Sequence, residues 1–222
     1  MALVLLIRHA LAETTGKRLS GWMPGVHLSA KGREQAERLA ERLAGVPIRA
    51  IYSSPLERCV ETAEPLAASS GVDVTLRADL GEVRYGEWTN RPLAQLARTR
   101  LWKVVQSVPS RARFPGGESL LEVQERSVRE IERILASHPK AVVAVFSHGD
   151  VIRLLVAHFS GLHPDLFQRL VIDPASVSAI AAGNGAPRIL KVNDTGGLSD
   201  LAPRPAARKT KAAGAAARKV RG

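Results

Sequence analysis

Two histidines and two arginines in this 222-residue chain stand where strands should give way to loops. Arg8-His9 closes the apolar run Ala2-Leu3-Val4-Leu5-Leu6-Ile7, and Ser147-His148-Gly149 closes Ala141-Val142-Val143-Ala144-Val145-Phe146. Arg58 follows Ser53-Ser54-Pro55-Leu56-Glu57, where a third short apolar stretch turns into a helix start. In open α/β sheets the ligand crevice lies beyond the carboxyl ends of the strands. If the strands are parallel, these side chains converge on one sheet edge and form a pocket for a dianion, with phosphate the natural occupant. Arginine presents a planar fork that matches phosphate oxygens, and a neutral imidazole can attack phosphorus. The cations would supply the charge stabilisation that a metal otherwise gives. The six histidines lack the spacing to acids typical of metal ligation, so neither a metal nor a cofactor is expected. A leaving oxygen still needs a proton. Glu82 and Glu87, in Leu80-Gly81-Glu82-Val83-Arg84-Tyr85-Gly86-Glu87-Trp88, are equal candidates by spacing.

The elements that must position these groups are readable. Leu28, Ala36, Leu39, Ala40 and Leu43 recur at helical spacing before Gly45-Val46-Pro47, which predicts an amphipathic helix with a stop. Ile48–Tyr52 reads as a strand. Ser54, Pro55 and Glu57 read as N-cap, first helical residue and capping-box partner of a helix that ends at Gly71. That start would place Arg58 in the first turn, where free N–H groups favour an anion. Val72–Leu76 is a candidate strand, and 78–88 a loop. Trp102 and its neighbouring leucines suggest one or two short helices before the Phe114-Pro115-Gly116-Gly117 turn. Ser119 and Glu122 form a second capping box, opening a helix that ends near His138-Pro139. An apolar helix follows from Val151, and Val177–Ala182 with Arg188–Val192 reads as a closing hairpin about Gly183-Asn184-Gly185. Alternating strands and helices predict an α/β sandwich with a mainly parallel sheet.

Charge divides unevenly. Residues 203–222 hold Arg204, Arg208, Lys209, Lys211, Arg218, Lys219 and Arg221 with no acid, and removing those seven from the formal +11 leaves +4. The expected organisation is a folded unit over 1–197 and a basic, disordered tail over 198–222, read first as solvated and without function and otherwise as a weak contact for nucleic acid or acidic surfaces. A single cysteine, Cys59, and the lack of any apolar run near the ~20 residues of a membrane span predict a cytoplasmic protein. Arg91, Arg98, Arg100, Lys103, Arg111 and Arg113 form an acid-free stretch, with two readings: a surface over the pocket that meets a second negative charge on the substrate, or a solvated basic helix.

Five pieces, in order and spacing, resemble the histidine phosphatase superfamily, the phosphoglycerate-mutase-like clan. They are Leu6-Ile7-Arg8-His9, the segment from Ser53 to Ala63, Leu80-Gly81-Glu82 with Tyr85-Gly86-Glu87-Trp88, Pro115-Gly116-Gly117-Glu118-Ser119, and Ser147-His148-Gly149. The resemblance implies a three-layer α/β/α sandwich. It implies that His9 forms a phosphohistidine, that Arg8, Arg58 and His148 bind the phosphoryl oxygens, and that Glu82 is the proton donor. Thr15 stands where relatives carry an Asn, and with Gly149 it is a candidate phosphate contact. Ala10 replaces the family's usual Gly and is expected to alter backbone approach to the phosphate. The Trp-Asn pair of glycolytic phosphoglycerate mutases is missing, which argues against the glycolytic enzyme; the chain looks most like a branch of high-GC bacteria carried under a phosphomutase label.

The first reading is metal-independent hydrolysis of a small phosphate monoester. The alternatives are a phosphomutase sharing the first half-reaction, and a non-catalytic phospholigand-binding or tail-mediated nucleic-acid-binding protein. Oligomeric state is not legible in the sequence.

Overall fold

The computed structural model describes residues 1–183 and 185–196. The expected tail, the boundary at 197 and the hairpin residue Asn184 lie outside the described residues. The sheet is built from β1 (Ala2–Arg8), β2 (Ile48–Ser53), β3 (Val74–Leu76), β4 (Val142–Ser147), β5 (Val177–Ala182) and β6 (Arg188–Asp194). Their order is β3-β2-β4-β1-β5-β6. The pairs β1–β4, β2–β4 and β2–β3 are parallel, whereas β5 runs antiparallel to both β1 and β6. The helices are α1 (Ala30–Leu43), α2 (Glu57–Ser70), α3 (Leu93–Leu96), α4 (Arg100–Ser107), α5 (Leu120–Ser137) and α6 (Gly149–Ser160).

The period-2 alternation of β1 explains the three layers. Leu5 and Ile7 pack with Leu39 of α1 and Cys59, Ala63 and Leu66 of α2. Val4 and Leu6 pack on the opposite side, with Val123, Ile131 and Ile134 of α5 and Val151, Leu154 and Leu155 of α6. Val4, Leu6 and Ile7 have no exposed surface, and full burial of such a side chain contributes roughly 1.5–3 kcal/mol.

Parallel pairing brings the strand ends level. Arg8 of β1 is in register with Ser147 of β4, and Ser53 of β2 with Phe146. The capping box of α5 forms as its sequence predicts, with Ser119 accepting from Glu122 N and the Glu122 carboxylate from Ser119 N. The one expected at α2 does not. That helix begins at Glu57 after Leu56, which has no side-chain cap. The Ser54 hydroxyl instead lies 2.8 Å from Nε2 of His148, and the Glu57 carboxylate accepts from Gly25 N at 2.9 Å. Both capping groups are claimed by partners remote in sequence. At its other end α2 stops as predicted, at Gly71 in the left-handed region, φ 69°.

Candidate active site

The pocket at the carboxyl end of β1 and β4 is lined by Arg8, His9, Thr15, Arg58, Glu82 and Gly149 among others. The sixth polar residue expected there, His148, is fully buried beside it. Its ring centroid is 5.2 Å from that of His9, at an interplanar angle of 62°. All seven sequence-predicted site residues therefore gather in one place. Glu87, the competing acid, is exposed and outside the lining.

Each group has a defined role in the hydrogen bonding. Nδ1 of His9 lies 2.7 Å from the carbonyl oxygen of Ala10, which can only accept. The Nδ1 proton is thereby fixed, and the lone pair resides on Nε2. Burial, and then the charges of Arg58 and Arg8, hold the His9 imidazole well below the ordinary histidine range, so it is neutral at physiological pH. His148 shows the same depression, from burial first and then from Arg58. Arg58 donates from Nη2 to Gly21 O at 2.9 Å and faces His148 Nδ1 at 3.2 Å. Since guanidinium can only donate, His148 Nδ1 accepts and Nε2 donates to Ser54.

Arg8 donates from Nη1 to Ile172 O at 2.6 Å, while its Nε is buried without a partner, as is Nη1 of Arg58. Buried donors without partners are costly, and two of them on guanidinium groups at one pocket mark where an anion fits. Gly149 allows Arg8 to sit there, because a Cβ on Gly149 would lie 3.2 Å from Arg8 Nε and 3.3 Å from its Cζ. Thr15 reaches the pocket wall, but its hydroxyl accepts from Ala12 N at 3.0 Å and so shapes the loop. Ala10 is buried in the core between the sheet and α1–α2 and is outside the lining. Its methyl group packs in that core.

The Glu82 carboxyl is pushed up to about 7, first by burial and then by Asp150. Its Oε1 accepts from Val83 N at 3.0 Å, and Oε2 lies 3.8 Å from His148 Nδ1. Beside a neutral histidine, an acid in that range carries a proton that it can give away near neutrality. Among the described residues, no group of three or more His, Cys, Asp or Glu side chains is placed to hold a metal ion. Burial pushes the Cys59 thiol up to about 12, leaving it an inert neighbour of His148.

Two pocket-lining arginines escaped the sequence. Arg153 lines the pocket one turn into α6, paired with Asp150 at 3.0 Å; Asp150 also accepts from Tyr85 OH at 3.0 Å. Arg18 lines it from the loop between β1 and α1. The cationic stretch does not: Arg91, Arg98, Arg100, Lys103, Arg111 and Arg113 are exposed, none lines the pocket, and Arg113 pairs with Glu122. Apart from the Arg113 pair their charges face solvent, which fits the solvated reading of this stretch and not the substrate-facing one.

The model of the histidine phosphatase superfamily, branch 1, matches residues 4–195. The chain belongs to that family. This superfamily member is 29% identical to phosphoserine phosphatase 1 of Hydrogenobacter thermophilus over 206 residues, 90% of this chain and 96% of that protein. It is 33% identical to phosphoglycerate mutase-like protein 4 of Arabidopsis thaliana over 157 residues, 68% of each chain. A mycobacterial glucosyl-3-phosphoglycerate phosphatase superposes with a TM-score of 0.78 at 26% identity, covering 86% of this chain and 98% of that one.

Proposed function

We propose that this histidine phosphatase hydrolyses a small phosphate monoester through a phosphohistidine on His9. The observation that carries the reading is the bond from His9 Nδ1 to Ala10 O, which leaves a neutral ring with Nε2 as its nucleophilic atom. Nε2 attacks phosphorus, the ester P–O bond breaks, and Glu82 protonates the departing alkoxide. Arg8 and Arg58 offer their free N–H groups to the phosphoryl oxygens, where charge develops. His148 joins them once the dianion offsets the arginine charges and lets it take a proton. Water then attacks the phosphohistidine. The Glu82 carboxylate accepts its proton, the P–N bond breaks, and phosphate leaves with His9 restored. Thr15 and Gly149 shape the cradle. The likeness to phosphatases named for phosphoserine and for glucosyl-3-phosphoglycerate supports a substrate with a second anionic group, which would meet Arg153 and Arg18.

Transfer back to a bound alcohol, a mutase reaction, is the second reading, supported by the mutase-like relative. Residues 1–197 would be the catalytic unit, with 198–222 dispensable and no more than a weak contact for nucleic acid. No described helix is long and apolar enough to cross a membrane, and the single cysteine suits a cytoplasmic setting. The test is turnover of a chromogenic phosphate monoester with EDTA present. Steady release of phosphate, lost in His9→Ala, supports hydrolysis. Phosphoenzyme without turnover supports the mutase, and neither signal supports a binding protein.

A further inference from the structure

The loop that carries Glu82 hangs from its own carbonyl oxygens. Arg126 of α5 donates from Nη1 to Asp79 O at 2.7 Å and Gly81 O at 2.9 Å, and from Nη2 to Glu82 O at 2.9 Å. The Ser147 hydroxyl, at the end of β4, donates to Leu80 O at 2.7 Å. Trp22 Nε1 donates to Glu82 O at 2.5 Å. Four consecutive carbonyls, 79 to 82, are thus each caught by a side chain from elsewhere in the fold.

Arg126 is itself fixed. Glu118 accepts from its Nε at 2.8 Å and from Nη2 at 3.0 Å. The same carboxylate accepts from Arg84 N at 2.8 Å, so it grips the chain two residues past Glu82. All five N–H groups of the guanidinium have acceptors, three on the loop and two on Glu118. Both side chains are largely buried, at 12% and 17% exposure. Only arginine can make this five-point contact, because lysine is a point donor. Gly86 and Gly117 close the far side of the loop. A Cβ on Gly86 would lie 2.1 Å from Pro115 O, and one on Gly117 the same distance from Arg84 O.

We infer that Arg126, held by Glu118, is a positioning residue that sets where the Glu82 carboxyl meets the leaving oxygen. The inference rests on the reading of Glu82 as proton donor. It follows from the point of attachment: the guanidinium binds the backbone of Glu82 itself and of Asp79 and Gly81 before it, leaving the carboxyl free to face the pocket. A general acid displaced by about 1 Å loses on the order of 100-fold in rate, so a brace at this point acts directly on chemistry. Arg126 does not line the pocket, and its direct contact with the site is to the backbone of Glu82.

Leaving-group dependence separates this role from general support of the fold. An aryl ester with a good leaving group, such as p-nitrophenyl phosphate, needs little help from an acid; a simple alkyl phosphate needs all of it. Arg126→Gln, Arg126→Lys and Glu118→Gln should each lower kcat on the alkyl ester by roughly 10- to 100-fold. On the aryl ester the loss should stay under about 3-fold, with binding of inorganic phosphate unchanged. Arg126→Lys should restore little, since three donors on a single nitrogen replace a planar fork of five. Glu118→Gln, which leaves the guanidinium in place but loosens it, serves where loss of Arg126 harms folding. Equal losses on both esters, or no loss on the alkyl ester, would overturn the inference. Glu82→Gln is measured alongside. If it shows the leaving-group pattern and the brace variants do not, only the positioning role falls. If Glu82→Gln lacks the pattern, the assignment of the acid falls with it.

Discussion

Nη2 of Arg58 faces Nδ1 of His148 at 3.2 Å, a contact between a permanent cation and a ring that accepts from it in the neutral form. With His9 fixed in the opposite sense, by an Nδ1 proton given to Ala10 O, the two imidazoles at one pocket have different free atoms. His9 keeps a lone pair on Nε2, while His148 is poised to gain a proton when an anion enters. The arrangement distinguishes attacking from binding histidine without any difference in residue type.

Glu82 sets the pH dependence. Its carboxyl is raised to about 7, mainly by burial, so the proton-donating form is present below that value and lost as pH rises through it. kcat on an alkyl ester should fall across an alkaline limb near pH 7, and Glu82→Gln should remove the limb along with most of the activity. Linkage gives the sign of the stability effect. The native state binds this proton more tightly than the unfolded chain, so stability is greatest below the unfolded value and declines as pH rises through about 7. Thermal melts should show Glu82→Gln gaining on wild type between pH 5 and 8, by about 2–4 °C for each kcal/mol relieved.

Gly149→Ala separates binding from folding. The added Cβ would press on Arg8 at 3.2–3.3 Å, displacing a guanidinium that the pocket needs. One lost charge-assisted hydrogen bond corresponds to roughly a tenfold weaker inhibition by inorganic phosphate. Because alanine is the better helix former, Tm should hold or rise. Unchanged phosphate inhibition would show that Arg8 yields without cost.

Ala10→Gly should behave in the opposite way. The Ala10 methyl is buried in the core away from the pocket, so its removal costs about 1–2 kcal/mol through lost burial and added chain entropy. KM should stay within about 2-fold of wild type, since no pocket atom moves. Steady-state kinetics and a melt on the same preparation decide it.

Arg153→Gln tests the second anion subsite. KM for a monoester bearing a carboxylate should rise about tenfold, and KM for a neutral-tailed ester should change by less than about twofold. A triple variant of Arg91, Arg98 and Arg100, all exposed and outside the pocket, should leave both values near wild type. Equal effects of Arg153→Gln on the two esters would remove the subsite.

What the sequence discloses here, and what it hides, follows the range of the interactions. The runs ending at Arg8-His9 and Ser147-His148 announce buried parallel strands because every residue in them is apolar, and parallel pairing then forces their ends together. The capping box at Ser119 is legible because both of its partners lie within one turn. The box at Ser54 is spelled as clearly but does not form, since His148, just past the end of β4 and 94 residues away, takes the hydroxyl. Arg153 had a local signal, its i,i+3 spacing from Asp150 on a helix that starts at the site. Arg18 and Arg126 had none: one reaches the pocket from an irregular loop, and the other acts through backbone carbonyls that leave no mark on residue type.

The most direct test of the account is the chemical form of the trapped intermediate. Enzyme quenched during turnover of a labelled monoester should carry acid-labile phosphate on one histidine, His9, and phosphorus NMR should place it on Nε2. The label should vanish in His9→Ala and chase into free phosphate in wild type. Phosphate on Nδ1, on His148, or on no residue at all during steady turnover would contradict the tautomer assignment on which the mechanism stands.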